Sequence, residues 1–209
     1  EVSALGLEKT VSTQPVIEFV PGLGFVTAWQ GPVSDRNGIF GKIFYQNETE
    51  SSIFQIDQTL GGHAYNPDIG SSDTGSFSVV WNKDDGINTR AITFDTTGAI
   101  ASEEFILDSQ LKHAVDPDVA GGLDGSFIGV WEQYAIDGSG YGIFARLFSQ
   151  DALSLGSVFQ VNSTTEYSQV NPVIVGLDNG NFAVAWGHYG SRSDLGIFAQ
   201  VIASDGTLI

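Results

Sequence analysis

The chain has 209 residues, 42% of them apolar and 16% charged, with a formal net charge of −17. That charge excludes nucleic acid and anionic membrane surfaces as natural partners, and no apolar run approaches the roughly 20 residues that span a bilayer. With no cysteine there are no disulfides or thiolate metal sites, and with no methionine the chain reads as a processed or excised product.

The first 14 residues have a pattern of their own. From Pro15 onward the sequence repeats. Pro15, Pro67, Pro117 and Pro172 are each followed 14 residues later by a tryptophan, and Trp29, Trp81, Trp131 and Trp186 are all the Trp of the chain. Phe25, Phe77, Phe127 and Phe182 stand four residues before them. These anchors divide the chain into units 15–66, 67–116, 117–171 and 172–209, the signature of stacked supersecondary repeats.

Each unit reads as short strands in the same order. The first follows the proline, as "PVIEF", "PDIGS", "PDVAG" and "PVIVG". A turn comes next ("PGLG", "DTGS", "LDGS", "LDNG"), then a second strand, "FVTAW", "FSVVW", "FIGVW" or "FAVAW". Strand residues alternate faces, so Phe and Trp at i and i+4 share one face, and the intervening residues are mostly apolar as well. Such a strand is expected to be covered on both sides. The third strand is "GIFGKIF", "NTRAITF", "GIFARLF" or "GIFAQVI", with Gly41, Ala91, Ala145 or Ala199 keeping its centre small. The second unit departs most, with Thr89 and Arg90 where the others have Ile-Phe. A fourth strand, "SIFQI", "EFIL" or "SVFQV", completes the first three units.

Four strands per unit and a period near 50 residues predict an all-β, four-bladed β-propeller, each blade an antiparallel sheet. The last unit stops at "ASDGTLI", after its third strand. The segment before Pro15 contains "ALGLEKTVS", which loosely matches "SLGSVFQVNS" of the third unit. Residues 5–11 are therefore expected to supply the missing outer strand of the last blade and close the ring.

The string Pro-x-Val-x-x-x-Leu-Asp-Gly-x-Phe-x-x-x-Trp from Pro117, continued by Asp-Gly-x-Gly-x-Gly-Ile-Phe-Ala-Arg-x-Phe to Phe148, resembles tandem repeats of large secreted bacterial proteins, often RTX-like or haemolysin-type calcium-binding adhesins. The resemblance implies export from the cell and a propeller-like module. It implies no catalytic set. The Gly-Gly-x-Gly-x-Asp nonapeptide of true RTX segments is absent, so calcium binding by that mechanism is not expected.

Candidate sites cluster in the loops. Asp84, Asp85, Asp137 and Asp194 lie in the turns after the tryptophans, where oxygen-rich side chains suit Ca²⁺ or simply build turns. His63 and His113 precede two of the blade prolines, and Asp68 and Asp118 follow them. If first strands line the axis, these two carboxylates approach near one mouth and with the imidazoles offer a divalent-cation site; hydrogen bonding between blade loops is the alternative. Tyr65, Tyr134, Tyr141 and Tyr189 sit in or beside loops, suited to stacking on sugar rings. Asn47-Glu48-Thr49 and Asn162-Ser163-Thr164 match the glycosylation sequon. Glu132 follows Trp131, but its counterparts Gln30, Asn82 and Gly187 are not carboxylates. No nucleophile triad, phosphate loop or His-Glu-x-x-His motif is present.

Because similar units present similar groups, whereas a catalytic site needs unlike residues in unlike roles, the sequence predicts a non-enzymatic module. Its expected role is secreted binding or adhesion, through weak repeated contacts to a glycan or cell-surface ligand, with no required cofactor. The alternatives are a structural unit packing against copies of itself in an extracellular assembly, and a propeller hydrolase.

Overall fold

A computed structural model describes residues 13–59, 61–84, 88–108, 113–190 and 195–209. Four antiparallel sheets follow one another along the chain. The first contains β1 (Thr13–Val20), β2 (Gly24–Val33), β3 (Arg36–Tyr45) and β4 (Phe54–Gln55). The second contains β5 (Ala64–Ser71), β6 (Phe77–Lys83), β7 (Asn88–Phe94) and β8 (Phe105–Ile106). The third contains β9 (Ala114–Gly121), β10 (Phe127–Tyr134), β11 (Tyr141–Phe148) and β12 (Phe159–Gln160). The fourth has three strands among the described residues: β13 (Ser168–Gly176), β14 (Phe182–Tyr189) and β15 (Leu195–Ile202). Strand order within each sheet is sequence order, as short turns require.

The first strands face one another around a common axis. β1 packs on β5, β5 on β9 and β9 on β13. Close approach at the axis explains the glycines at the ends of these strands. A Cβ on Gly70 would lie 2.4 Å from the Val119 carbonyl oxygen, and one on Gly121 would lie 2.2 Å from that of Ser71. Outward from the axis the sheets stack face to face. Val26, Ala28 and Ile43 of the first sheet meet Phe77, Trp81 and Ile92 of the second. Ile128, Val130 and Leu147 of the third meet Phe182 and Trp186 of the fourth. All four tryptophans are buried, as a second strand covered on both sides demands.

The second unit's departure has a local cause. Arg90 does not fill an apolar slot; its Nη1 lies 3.2 Å from Glu104 Oε1, and the buried Lys83 ammonium lies 4.0 Å from the same oxygen. Glu104 Oε2 also accepts from the N–H groups of Gln58 and Thr59, so the buried charges are compensated.

The expectation of four complete blades closed into a ring is corrected in one respect. No packing comparable to that between the other first strands joins β13 to β1 among the described residues. The closing strand expected over residues 5–11 lies outside the described residues.

Candidate active site on the propeller axis

The site begins with a backbone irregularity that recurs in every unit. Each first strand slips register against its second strand at the proline. The residue just before the proline adopts the left-handed region: φ is 53° at Gln14, 51° at Asn66, 48° at Asp116 and 52° at Asn171. Asn and Asp tolerate this conformation best among non-glycine residues, and such bulges re-aim side chains. Here they turn four polar groups toward one mouth of the axis. Gln14 Nε2 donates to Asn66 Oδ1, Asn66 N–H donates to Gln14 Oε1 at 3.1 Å, and Asn66 Nδ2 donates to Asp116 Oδ1 at 2.7 Å. Gln14, Asn66, Asp116 and Asn171, with Pro67, Pro117, Pro172, Asp68 and Asp118, line a cavity of about 510 Å³.

Struts from the preceding blade hold this ring. Asn82 Oδ1 accepts from Asp116 N–H at 3.0 Å. One unit later, Glu132 Oε1 accepts from Asn171 N–H. Both acceptors immediately follow a tryptophan, so the repeat places the same device twice. Burial, partly offset by the Asn171 N–H and reinforced by the charge of Asp116, pushes the Glu132 carboxyl up to about 7.

Asp68 and Asp118 sit deeper on the axis. They also line a second cavity of about 380 Å³ at the other mouth, with Glu18, Asp73 and Asp178. The two side chains are neighbours, close enough for each carboxyl to act on the other. Asp118 is held by N–H donors from Val119 at 2.6 Å and Ile174 at 2.8 Å. Burial, then the hydrogen bond and charge of Asp118, push Asp68 up to about 9, against the backbone N–H groups of Ile69 and Val119. Two neighbouring carboxyls in a partly buried site cannot both ionise readily. Burial and the neighbouring carboxyl therefore favour the neutral form of Asp68, a carboxylic acid that can donate a proton.

The other sequence candidates are distributed differently. His63 Nδ1 accepts from Asn37 N–H at 3.1 Å, and His63 lines a separate cavity with Val33 and Arg36. His113 packs edge-on to Tyr134. Neither imidazole lines the cavities that hold Asp68 and Asp118, and among the described residues no group of three His, Asp or Glu gathers to hold a metal. Tyr134 and Tyr141 meet edge-on at 5.1 Å, while Tyr65 and Tyr189 stand on other units. No tyrosine lines either axial cavity. Asp84 Oδ1 accepts from His63 N–H, and Asp137 bonds Ser139 N–H and Gln160 Nε2, as turn residues do. Asp85 and Asp194 lie outside the described residues. The sequon residue Asn162 is buried and bonds Ile143 N–H and Gln169.

Sequence reasoning passed over Gln14, Asn66, Asp116 and Asn171. The signal was present: the residue before every anchoring proline is Gln, Asn or Asp.

No family model matches the sequence, and no curated protein matches it. Solved structures do. A thermostable family-43 glycoside hydrolase is 13% identical with a TM-score of 0.53, over 93% of this chain and 72% of that one. An endo-arabinase from Bacteroides thetaiotaomicron VPI-5482 is 11% identical with a TM-score of 0.53, over 93% and 78%. A xylan β-1,4-xylosidase from Bacillus halodurans C-125 is 10% identical with a TM-score of 0.54, over 95% and 43%. The chain shares the propeller fold of these glycoside hydrolases.

This overturns the expectation of a non-enzymatic binding or adhesion module. Repetition of the scaffold does not impose repetition of the site. Repeat units place equivalent positions around one axis, but those positions need not carry equivalent residues. Where the second and third units have Asp68 and Asp118, the first and fourth have Val16 and Val173. Converging strands thus assemble an asymmetric site from a symmetric scaffold.

The titration of this site predicts the pH dependence of stability. Asp68 and Glu132 have folded values raised above their unfolded ones, so the folded state binds more protons and their stabilisation is present at low pH. It is lost as pH rises through about 7 and then about 9. Asp95, held down by the Thr97 hydroxyl, and Asp124, held down by the Ser126 hydroxyl, act oppositely and weaken the fold below about pH 4. Melting temperature is expected to peak near pH 5 and fall toward pH 9. Glu132→Gln is expected to flatten the fall between pH 5 and 8; an unchanged slope in that variant would contradict the assignment.

Proposed function

We propose that the chain hydrolyses glycosidic bonds in the axial cavity bordered by the pre-proline residues. The observation that carries this reading is the pair of carboxyls, Asp68 and Asp118, that line the cavity together with the Asp116 carboxylate. The fold neighbours support it, since they include an endo-arabinase and a xylosidase, and pentose polysaccharides are the substrate class proposed here.

In this reading Asp68 is the general acid. It gives its proton to the glycosidic oxygen as the bond from that oxygen to the anomeric carbon breaks. Asp118, fixed by two backbone N–H groups, holds the proton in place beforehand and orients the carboxyl. Asp116 is the carboxylate in the same cavity available to take a proton from the water that adds to the anomeric carbon. The amides of Gln14 and Asn171 face the same space and suit sugar hydroxyls. Glu132 is a positioning residue, setting Asn171 through its backbone.

The test is turnover by the purified chain. Arabinan, xylan and the p-nitrophenyl glycosides of arabinofuranose and xylopyranose are incubated with it between pH 5 and 8, and new reducing ends or nitrophenol are measured. Release from at least one pentoside is expected. A folded protein that releases nothing from any of them would overturn the proposal.

A further inference from the structure

Between the third and fourth sheets a cavity of about 460 Å³ lies away from the axis. Asp137, Gly138 and Ser139 of the turn between β10 and β11 form one wall, and Thr165, Glu166 and Tyr167, just before β13, form the other. Antiparallel pairing sets Gln133 of β10 opposite Ala114 of β9, so this turn stands at the same mouth as the pre-proline residues. Tyr167 precedes Asn171, which lines the axial cavity, by four residues, and four residues reach at most about 14 Å. The Tyr167 backbone is strained. Its φ is 64°, a left-handed value that a bulky residue rarely adopts. The counterpart five residues before the second unit's proline is Gly62, with φ 62°, where the same conformation is free of strain. Strain of this kind is kept where the side chain serves a function. The Tyr167 ring is 46% exposed and packs edge-on to His188.

A buried polar network holds the wall that carries this ring. Asn162, Gln169 and His188 are all buried. Asn162 Nδ2 donates to the Thr164 carbonyl and to Gln169 Oε1, both at 2.8 Å. Gln169 Nε2 donates to the Glu166 carbonyl at 2.9 Å and lies 3.0 Å from His188 Nδ1. The facing turn is tied to the same segment, since Tyr141 N–H donates to Ser168 Oγ at 3.3 Å. A Cβ on Gly140 would lie 2.1 Å from that oxygen, so only glycine allows the closure. The two walls are therefore set before any ligand arrives. Their chemistry selects the ligand. Among the described residues no Lys or Arg lines the cavity, so an anion would meet uncompensated negative charge. Carboxylates and hydroxyls beside an exposed aromatic ring suit a neutral sugar, whose hydroxyls donate to the oxygens while its apolar face lies on the ring. We propose that this cavity binds a sugar unit of the polysaccharide a few units away from the bond broken at the axis. It is a distal subsite for the polymer, with Tyr167 as its platform, and it rests on the hydrolase reading above.

The test reads binding in native gels cast with arabinan or xylan, in the Asp68→Asn background so that the polymer is not consumed. At least one of the two polymers is expected to retard that chain. Adding Tyr167→Gly is expected to cut the retardation several-fold with little change in melting temperature, because glycine relieves the backbone as the ring contact is lost. Adding Tyr167→Phe keeps the ring and should preserve the retardation. Unchanged retardation in the glycine variant, or retardation by neither polymer, would overturn the inference. So would a sharp fall in the glycine variant's melting temperature, which would make Tyr167 a structural pin. Nitrophenol release from the small glycosides reports on the axial site alone. Failure of the hydrolase reading is therefore seen in that assay, and failure of the distal subsite in the gels.

Discussion

Asp68→Asn is expected to remove the proposed glycoside hydrolysis while making the protein more stable at pH 8. An amide has the shape of the protonated carboxyl and can donate to Asp118 as that carboxyl does, so the pair's geometry survives. It cannot release a proton to a leaving oxygen. General acid–base catalysis contributes about 10² to 10⁴-fold, and kcat should fall by that order with KM little changed. Stability should move the other way, because the variant has no carboxyl to ionise in a site where burial and Asp118 oppose ionisation. The comparison variant is Asp73→Asn, at the opposite mouth and outside the proposed machinery. It should turn over substrate like the parent. Equal losses in both variants, or full activity in Asp68→Asn, would show that Asp68 does not supply the proton.

Trp131→Ala should cost about 3–5 kcal/mol, the usual range for emptying a fully buried aromatic site. Trp131 is 0% exposed and belongs to the core that joins Val80 and Leu107 of the second sheet to Phe144 and Phe148 of the third. Its Nε1 also donates to Gln133 Oε1 at 3.1 Å, and truncation would leave that buried acceptor one partner short. For a chain of this size the loss corresponds to a drop of about 10 °C in melting temperature. Phe25→Ala provides the contrast. Its side chain belongs to the same repeat position as Phe77 but lies half in solvent, so about 1 kcal/mol or less is expected. Thermal melts of both variants decide the matter; equal shifts would contradict the layout of buried and open blade faces.

The sequence by itself determined the repeat, the strands and the side chains that stack the sheets. The 14-residue interval from proline to tryptophan recurs four times, and alternation around each Phe and Trp dictates strands covered on both sides. Local rules suffice there, because period-2 patterning and turn chemistry act over a few residues. The sequence also put Asp68 and Asp118 at equivalent positions, 50 residues apart. Only the tertiary structure decided that they line one axial cavity, that their histidine neighbours do not, and that the neutral form of Asp68 is favoured. Those outcomes depend on how closely β5 and β9 approach the axis and how much water is left between them, which no local pattern encodes. The pre-proline bulges are a middle case: polar residues recur there in the sequence, but their convergence on one mouth follows from four left-handed backbones arranged around one axis. Whether Phe25 is core or surface was likewise undecidable from its unit, since Phe77 has the same local setting. Burial there is set by the presence of a neighbouring sheet, a property of the assembly of blades and not of any one of them.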